Sequence, residues 1–124
     1  MTPMPAALLV AITLLAGPAH AGPGDAEIGR SLYQGRCAAC HALDHNGVGP
    51  AHRGLFGRLS GTVTGFGYSD ALRAARQVWT EDSLNRWLAD PERFAPGQRM
   101  GVSVPDAQER AHLIAYLKQA TAPK

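Results

Sequence analysis

Lysine, cysteine and long apolar runs are scarce in this chain. Its small net charge and the lack of a long apolar run each exclude a class of protein. Of the 12 basic residues, only Lys118 and Lys124 are lysines, and the formal net charge is +2. That charge is too small and too dispersed for the basic stripe of a nucleic-acid-binding protein. The apolar run over residues 6–16 is shorter than the roughly 20 residues that cross a bilayer, so stable membrane insertion is not expected.

The apolar run near the start of the chain has the features of a secretory signal. Ala19-His20-Ala21 follows it and supplies a small-x-small cleavage pattern. No Lys or Arg lies in Met1–Pro5, which leaves an uncleaved anchor as the alternative. We expect residues 1–21 to be a signal peptide that is removed at this site. Residues 22–124 are then expected to form a single periplasmic domain.

The only two cysteines of the chain lie in Cys37-Ala38-Ala39-Cys40-His41. C-x-x-C-H is the attachment motif of a c-type haem: the thiols add to the vinyl groups, and the histidine is held against the iron. A zinc site would need further ligands at short spacing, and a thioredoxin-like redox pair would need alternating strands and helices that the sequence does not show. The motif therefore predicts one covalently bound haem c per chain.

Apolar side chains recur with helical spacing in three segments, and each segment begins at a residue suited to cap a helix. Asp25, Thr80 and Asp106 are the predicted N-caps. Glu109, three residues after Asp106, resembles the second half of a capping box, and Pro91 is predicted to end the middle helix. The predicted inward faces are Ile28, Leu32 and Tyr33, then Leu84, Trp87 and Leu88, then Leu113, Tyr116 and Leu117.

The stretches between these helices are long and rich in glycine. Residues 41–67 are predicted to be a loop, and Ser69 is predicted to cap a short helix over residues 70–76. A loop of this length in a small domain has no core of its own, unless a large buried cofactor supplies one. The sequence therefore predicts an all-α domain, with three main helices plus long loops wrapped around one covalently bound haem.

A second iron ligand is expected from the loop before the last helix. Met100 is the only methionine after residue 21, and it follows Pro96 and Gly97. An isolated methionine is usually a core residue, but one on a loop beside proline and glycine fills a core poorly. Thioether sulfur favours ferrous iron, so His/Met ligation raises the reduction potential. His52 is the less favoured alternative for this position.

These motifs, in this order, resemble the class I cytochromes c, that is, the mitochondrial type and its soluble bacterial counterparts. The similarity covers nearly all of residues 22–124. The matching segments are Gly24 to Glu27 with Gly29 and Tyr33, Gly49-Pro50, Gly54 to Arg58, Gly65 to Ala71, Trp79 with Leu84 and Leu88, Pro96 to Met100, and Leu113 to Lys118.

The resemblance implies a set of site residues. Cys37 and Cys40 attach the haem, His41 and Met100 ligate its iron, and the Pro50 carbonyl accepts a hydrogen bond from the second ring nitrogen of His41. The resemblance also implies that the buried haem propionate is bonded by three side chains, which are Arg58, Tyr68 and Trp79.

Four residues depart from the family pattern. Trp87 replaces a tyrosine that bonds the methionine sulfur, Leu72 replaces an asparagine, and His52 replaces an apolar residue near the haem. Glu92 replaces one of the lysines of the cationic ring that steers redox partners. The remaining candidate cations of that ring are Arg36, Arg53, Arg93 and Arg99.

The function that the resemblance implies is a soluble one-electron carrier. It would be a monomer, not an enzyme, and would shuttle electrons between membrane or periplasmic redox proteins of a bacterial respiratory chain. A haem c subunit dedicated to a periplasmic dehydrogenase or oxidase complex is the alternative. A haem enzyme or gas-binding protein would keep the iron open, and a ligand at Met100 speaks against that reading.

Overall fold

The structure is a computed structural model that describes residues 1, 12, 17 and 20–124. The predicted signal segment lies almost entirely outside the described residues, so its cleavage stays a prediction. The described part contains α1 (Ala26–Arg36), α2 (Asp70–Ala75), α3 (Glu81–Ala89), α4 (Pro91–Phe94) and α5 (Ala107–Ala120). No strand is present among these residues, only an isolated bridge between Leu59 and Val78. The all-α prediction is therefore confirmed, and α1, α3 and α5 are its three main helices.

The predicted helix starts are confirmed by the cap hydrogen bonds. The Asp25 carboxylate accepts from two N–H groups at the start of α1, and Ser69 accepts from the Leu72 N–H at the start of α2. Thr80 and Ser83 form a reciprocal capping box on α3. Each cap satisfies backbone donors that have no partner inside the helix.

One of two sequence expectations about the helix ends was wrong. Glu109 does not complete a capping box, because its carboxylate pairs with Arg36 at 2.7 Å, while the Asp106 carboxylate accepts from the Glu109 N–H alone. The prediction that Pro91 ends the middle helix is confirmed, because Pro91 has no N–H to continue the helix and the preceding Asp90 is extended. That helix ends at Ala89, and Pro91 opens α4, where a missing N–H costs nothing.

The α1 and α5 helices cross in close backbone contact. A Cβ atom on Gly29 would lie 2.6 Å from the carbonyl carbon of His112 and 2.8 Å from the Cβ atom of Tyr116. The helices can approach this closely only because residue 29 has no side chain. Gly29 and Tyr33 therefore form the buried face of α1. Ile28, predicted to face inward, is 48% exposed.

No helix of the described residues is long and apolar enough to cross a membrane.

The buried core surrounds a cavity rather than filling the centre of the domain. The core side chains come from α1, α3, α5 and the loops between them, and they are Tyr33, Leu55, Trp79, Leu84, Trp87, Leu88, Ala95, Val104, Leu113, Ile114 and Leu117.

Candidate haem site

The central cavity has a volume of about 500 Å³, within the size range of cofactor sites. Its walls are mostly apolar and come from α1, α3, α5 and the long loops. All eight residues assigned to the site from the sequence line it, and they are Cys37, Cys40, His41, Pro50, Arg58, Tyr68, Trp79 and Met100.

The attachment motif continues the last turn of α1. The Cys37 N–H donates to the Tyr33 carbonyl at 2.8 Å, and the N–H groups of Cys40 and His41 both donate to the Cys37 carbonyl. These bonds hold the two thiols and the imidazole on one tight turn at the cavity edge. Burial raises the pKa of the Cys37 thiol to about 11, so it is a neutral thiol at neutral pH.

The His41 ring is fixed by a carbonyl and by a glycine. Its Nδ1 lies 2.8 Å from the Pro50 carbonyl oxygen. A carbonyl only accepts, so Nδ1 carries the proton and Nε2 keeps its lone pair for a metal. A Cβ atom on Gly49 would lie 2.6 Å from each ring nitrogen. Burial lowers the pKa of His41, which favours the neutral form that binds iron.

His52 stacks on His41, with ring centroids 4.1 Å apart and ring planes at 18°. Its Nδ1 lies 2.8 Å from the Tyr33 hydroxyl. Burial, and then electrostatic repulsion by a protonated His41 ring and by Arg58, lower the pKa of His52 to about 3. Burial also raises the pKa of Tyr33 to about 12, so the pair is neutral. Because its ring packs on His41 and its Nδ1 bonds Tyr33, His52 would support the His41 ring rather than serve as a second iron ligand.

Arg58 is a half-buried cation without a carboxylate partner among the described residues. It donates to the carbonyls of Arg53 at 2.8 Å and Ala51 at 3.2 Å. Two of its five N–H groups are thereby used, and three remain for another acceptor. Burial lowers its pKa. A buried cation of this kind calls for an anionic group in the cavity.

Tyr68 and Trp79 are held beside Arg58. The Tyr68 hydroxyl accepts a hydrogen bond from the Val63 N–H at 3.1 Å, which leaves its own proton to donate. Burial raises the pKa of Tyr68, so that proton is retained. The backbone N–H of Trp79 donates to the Arg58 carbonyl at 2.9 Å, which ties the two residues together. The donor set fits a haem carboxylate, and the cavity, thiols and imidazole fit the rest of that group.

The wall of the cavity around Met100 is apolar. Met100 is partly buried and packs against the core. Leu72, Trp87 and Val104 line the cavity with it. Trp87 packs against the Trp79 ring, with centroids 5.8 Å apart, so it serves as a core side chain in this fold. These side chains give the cavity an apolar wall beside Met100.

The candidate docking cations are not equivalent. Arg36 and Arg99 line the cavity, but Arg53 does not. The Arg36 guanidinium forms two hydrogen bonds with the Glu109 carboxylate, at 2.7 and 2.8 Å. Arg53 binds Asp44 at 2.8 Å and carbonyls of the C-terminal segment. Arg53 therefore stabilises the fold, and the charge of Arg36 is partly neutralised.

Two features of the site were not predicted from the sequence. The stack of His52 on His41 joins residues 11 positions apart in a segment without periodicity. The need for glycine at position 49 follows from the place of the His41 ring, although a glycine directly before Pro50 was a hint of close backbone approach.

Comparisons with known proteins agree with this geometry. A family model described as "Cytochrome c" matches residues 26–121. The cytochrome c of Chlamydomonas reinhardtii is 44% identical over 110 residues, which cover 84% of this chain and 96% of that protein. The cytochrome c of Sesamum indicum is 43% identical over 109 residues, with 83% and 96% coverage. The solved structure of cytochrome cH from Methylobacterium extorquens superposes with a TM-score of 0.74 and 38% identity, covering 77% of this chain and 99% of that one.

Proposed function

Since the chain belongs to the cytochrome c family, we propose that it shuttles single electrons between redox proteins of the bacterial envelope. Family membership makes it an electron carrier with one covalently bound haem c, and not an enzyme. The haem supplies a one-electron iron couple when bound. The residues of the chain hold, orient and shield it.

The observation that carries the assignment of residues is that one cavity collects all of them. We assign Cys37 and Cys40 to covalent attachment and His41 and Met100 to iron ligation. Nδ1 of His41 keeps its proton and donates it in a hydrogen bond to the Pro50 carbonyl, so Nε2 is unprotonated and has a lone pair for the iron. The same assignment gives the Pro50 carbonyl a supporting role.

The polar side of the cavity is assigned to the haem propionate. Arg58 offers its remaining N–H groups, Tyr68 its hydroxyl proton, and Trp79 its indole N–H. Without such donors, burying the carboxylate would cost several kcal/mol, or the carboxylate would take up a proton and become neutral. The unpaired Arg58 supports this assignment, because a carboxylate would neutralise it.

The sequence and the cavity support the proposed location and partners. The secretory-type segment before residue 22 supports export to the periplasm. Partners are redox proteins that contact the cavity mouth, where Arg36 and Arg99 lie. Because Glu109 already pairs with Arg36, electrostatic steering is weaker than four free arginines would give. A monomeric peak in size-exclusion chromatography supports a free shuttle, and a stable co-eluting partner supports a dedicated subunit.

Replacing Met100 by alanine tests the ligand assignment. We expect the ferric protein to lose the long-wavelength iron–methionine absorption band. The reduction potential should fall by on the order of 0.1 V, because the thioether favours ferrous iron. Absorption spectroscopy and potentiometry measure both effects. The control Ser103→Ala, an exposed residue of the same loop, should behave as the wild type. An unchanged band and potential in Met100→Ala would disprove the assignment.

A further inference from the structure

The loop that carries Met100, residues 95–104 and called the methionine loop here, has few supports of its own. At its start the Gln98 N–H donates to the Ala95 carbonyl at 3.0 Å, and at its end the Val104 N–H donates to the Leu88 carbonyl at 2.7 Å. Residues 99–103 make no backbone hydrogen bond to other described residues. The place of Met100 therefore depends on how firmly the two ends of the loop are held.

The Glu92 carboxylate binds the start of the methionine loop with both of its oxygens. Oε1 accepts from the Gly97 N–H at 2.8 Å, and Oε2 accepts from the Gln98 side-chain amide at 3.2 Å. Gly97 has φ +94, a conformation that other residues rarely adopt. Among the acidic side chains of the described residues, only Glu92 bonds this loop. A hydrogen bond from a backbone N–H to a carboxylate is stronger than one to a neutral acceptor.

The helical turn that carries Glu92 is itself firmly packed. Pro91, next to Glu92, is buried, and Asp90 caps the turn by accepting from the Arg93 N–H. The Phe94 ring stacks on Trp79, with centroids 5.6 Å apart and planes at 15°, and meets the Trp87 ring edge-on at 5.5 Å. The turn that carries Glu92 is therefore packed through Phe94 against two tryptophans of the cavity wall. The Glu92 carboxylate links this turn to the methionine loop.

We propose that Glu92 is a positioning residue that fastens the methionine loop to α4 and so holds Met100 in the cavity. The inference rests on the proposed function, because it takes Met100 to be an iron ligand. A second fastening lies one residue before Met100, where the Arg99 guanidinium donates to the Gly67 carbonyl at 3.1 Å. Glu92 anchors the loop to the helices, and Arg99 anchors it to the loop across the cavity.

The test is displacement of Met100 by free imidazole in the ferric holoprotein. The displacement is measured by the loss of the iron–methionine absorption band. Imidazole binds only the open form of the loop, so its apparent affinity is proportional to the population of that form. Losing these two exposed, charge-assisted hydrogen bonds should raise that population about five-fold. Glu92→Ala should therefore bind imidazole about five-fold more tightly than the wild type.

Two further variants separate positioning from charge. Glu92→Gln keeps an oxygen for the Gly97 N–H, and the buried, unpartnered Oε1 of Gln98 can turn to meet the new amide. Its imidazole affinity should stay within about two-fold of the wild type, since neutral hydrogen bonds replace the charge-assisted ones. Glu27→Ala removes the same charge from α1, a helix that packs on α5. Its imidazole affinity should match that of the wild type.

The outcomes are distinguishable. Equal imidazole affinity in Glu92→Ala, Glu27→Ala and the wild type would overturn the role of Glu92. Imidazole binding that is tighter than in the wild type, and equally so in Glu92→Ala and Glu27→Ala, would show an effect of net charge and would also overturn the role of Glu92. A wild-type protein that lacks the iron–methionine band would instead contradict the proposed ligation by Met100, independently of Glu92.

Discussion

Gly29→Ala is expected to destabilise the folded protein by about 3 kcal/mol, the upper part of the usual range for overpacking. The new Cβ atom would lie 2.8 Å from the Tyr116 Cβ atom and closer still to the His112 carbonyl. The clash is with backbone, which cannot rotate away, so α1 and α5 must separate. That separation loosens the helix that leads into the attachment motif.

A matched variant on the same helix gives the control. Gly35 lies in α1, and a Cβ atom there would meet nothing within 4 Å. Gly35→Ala should leave the stability unchanged or raise it by about 0.5–1 kcal/mol, because alanine is the better helix former. Urea unfolding of both holoproteins measures the difference. Similar free energies of unfolding for the two variants would contradict the close crossing of α1 and α5.

Gly49→Ala is expected to displace the His41 ring without releasing the haem. The added Cβ atom would lie 2.6 Å from both ring nitrogens. The ring has little room to yield, because Pro50 holds its Nδ1 and His52 stacks on its face. Losing the orienting hydrogen bond of an axial histidine typically weakens metal binding by about 10- to 100-fold.

The measurement for Gly49→Ala is the ferric spectrum together with the haem content. We expect most of the low-spin His/Met signal to be lost while the haem stays attached through Cys37 and Cys40. Gly35→Ala again serves as the control and should keep the wild-type spectrum. A wild-type spectrum in Gly49→Ala would show that the His41 ring does not occupy the place described here.

Local signals in the sequence predicted most of the fold. Asp25, Ser69 and Thr80 precede segments with helical periodicity, and a cap acts on N–H groups two or three residues away. The inward position of Ile28 was wrong, because periodicity alone does not show that a glycine makes the closest contact. The short α4 helix was missed because a proline can either end one helix or begin the next.

The cavity residues were predicted by motif and resemblance, whereas their interactions depend on contacts between distant positions. Arg36 was predicted to be a docking cation, yet it pairs with Glu109, 73 residues further along the chain. Glu92 was noted only as a departure from a cationic ring, and its bond to Gly97 becomes visible only in the turn that α4 and the methionine loop form. A pattern in one sequence carries no information about such pairs.

The measurement that tests the central claim most directly is the mass of the denatured protein after acid–acetone extraction. Cys37 and Cys40 are the only cysteines of the chain, and thioether bonds to the haem survive this treatment, whereas axial ligation does not. The polypeptide is predicted to retain the added mass of one haem. Replacing both cysteines by alanine should abolish that addition. A wild-type polypeptide that gives up its haem to the acetone phase would contradict the account.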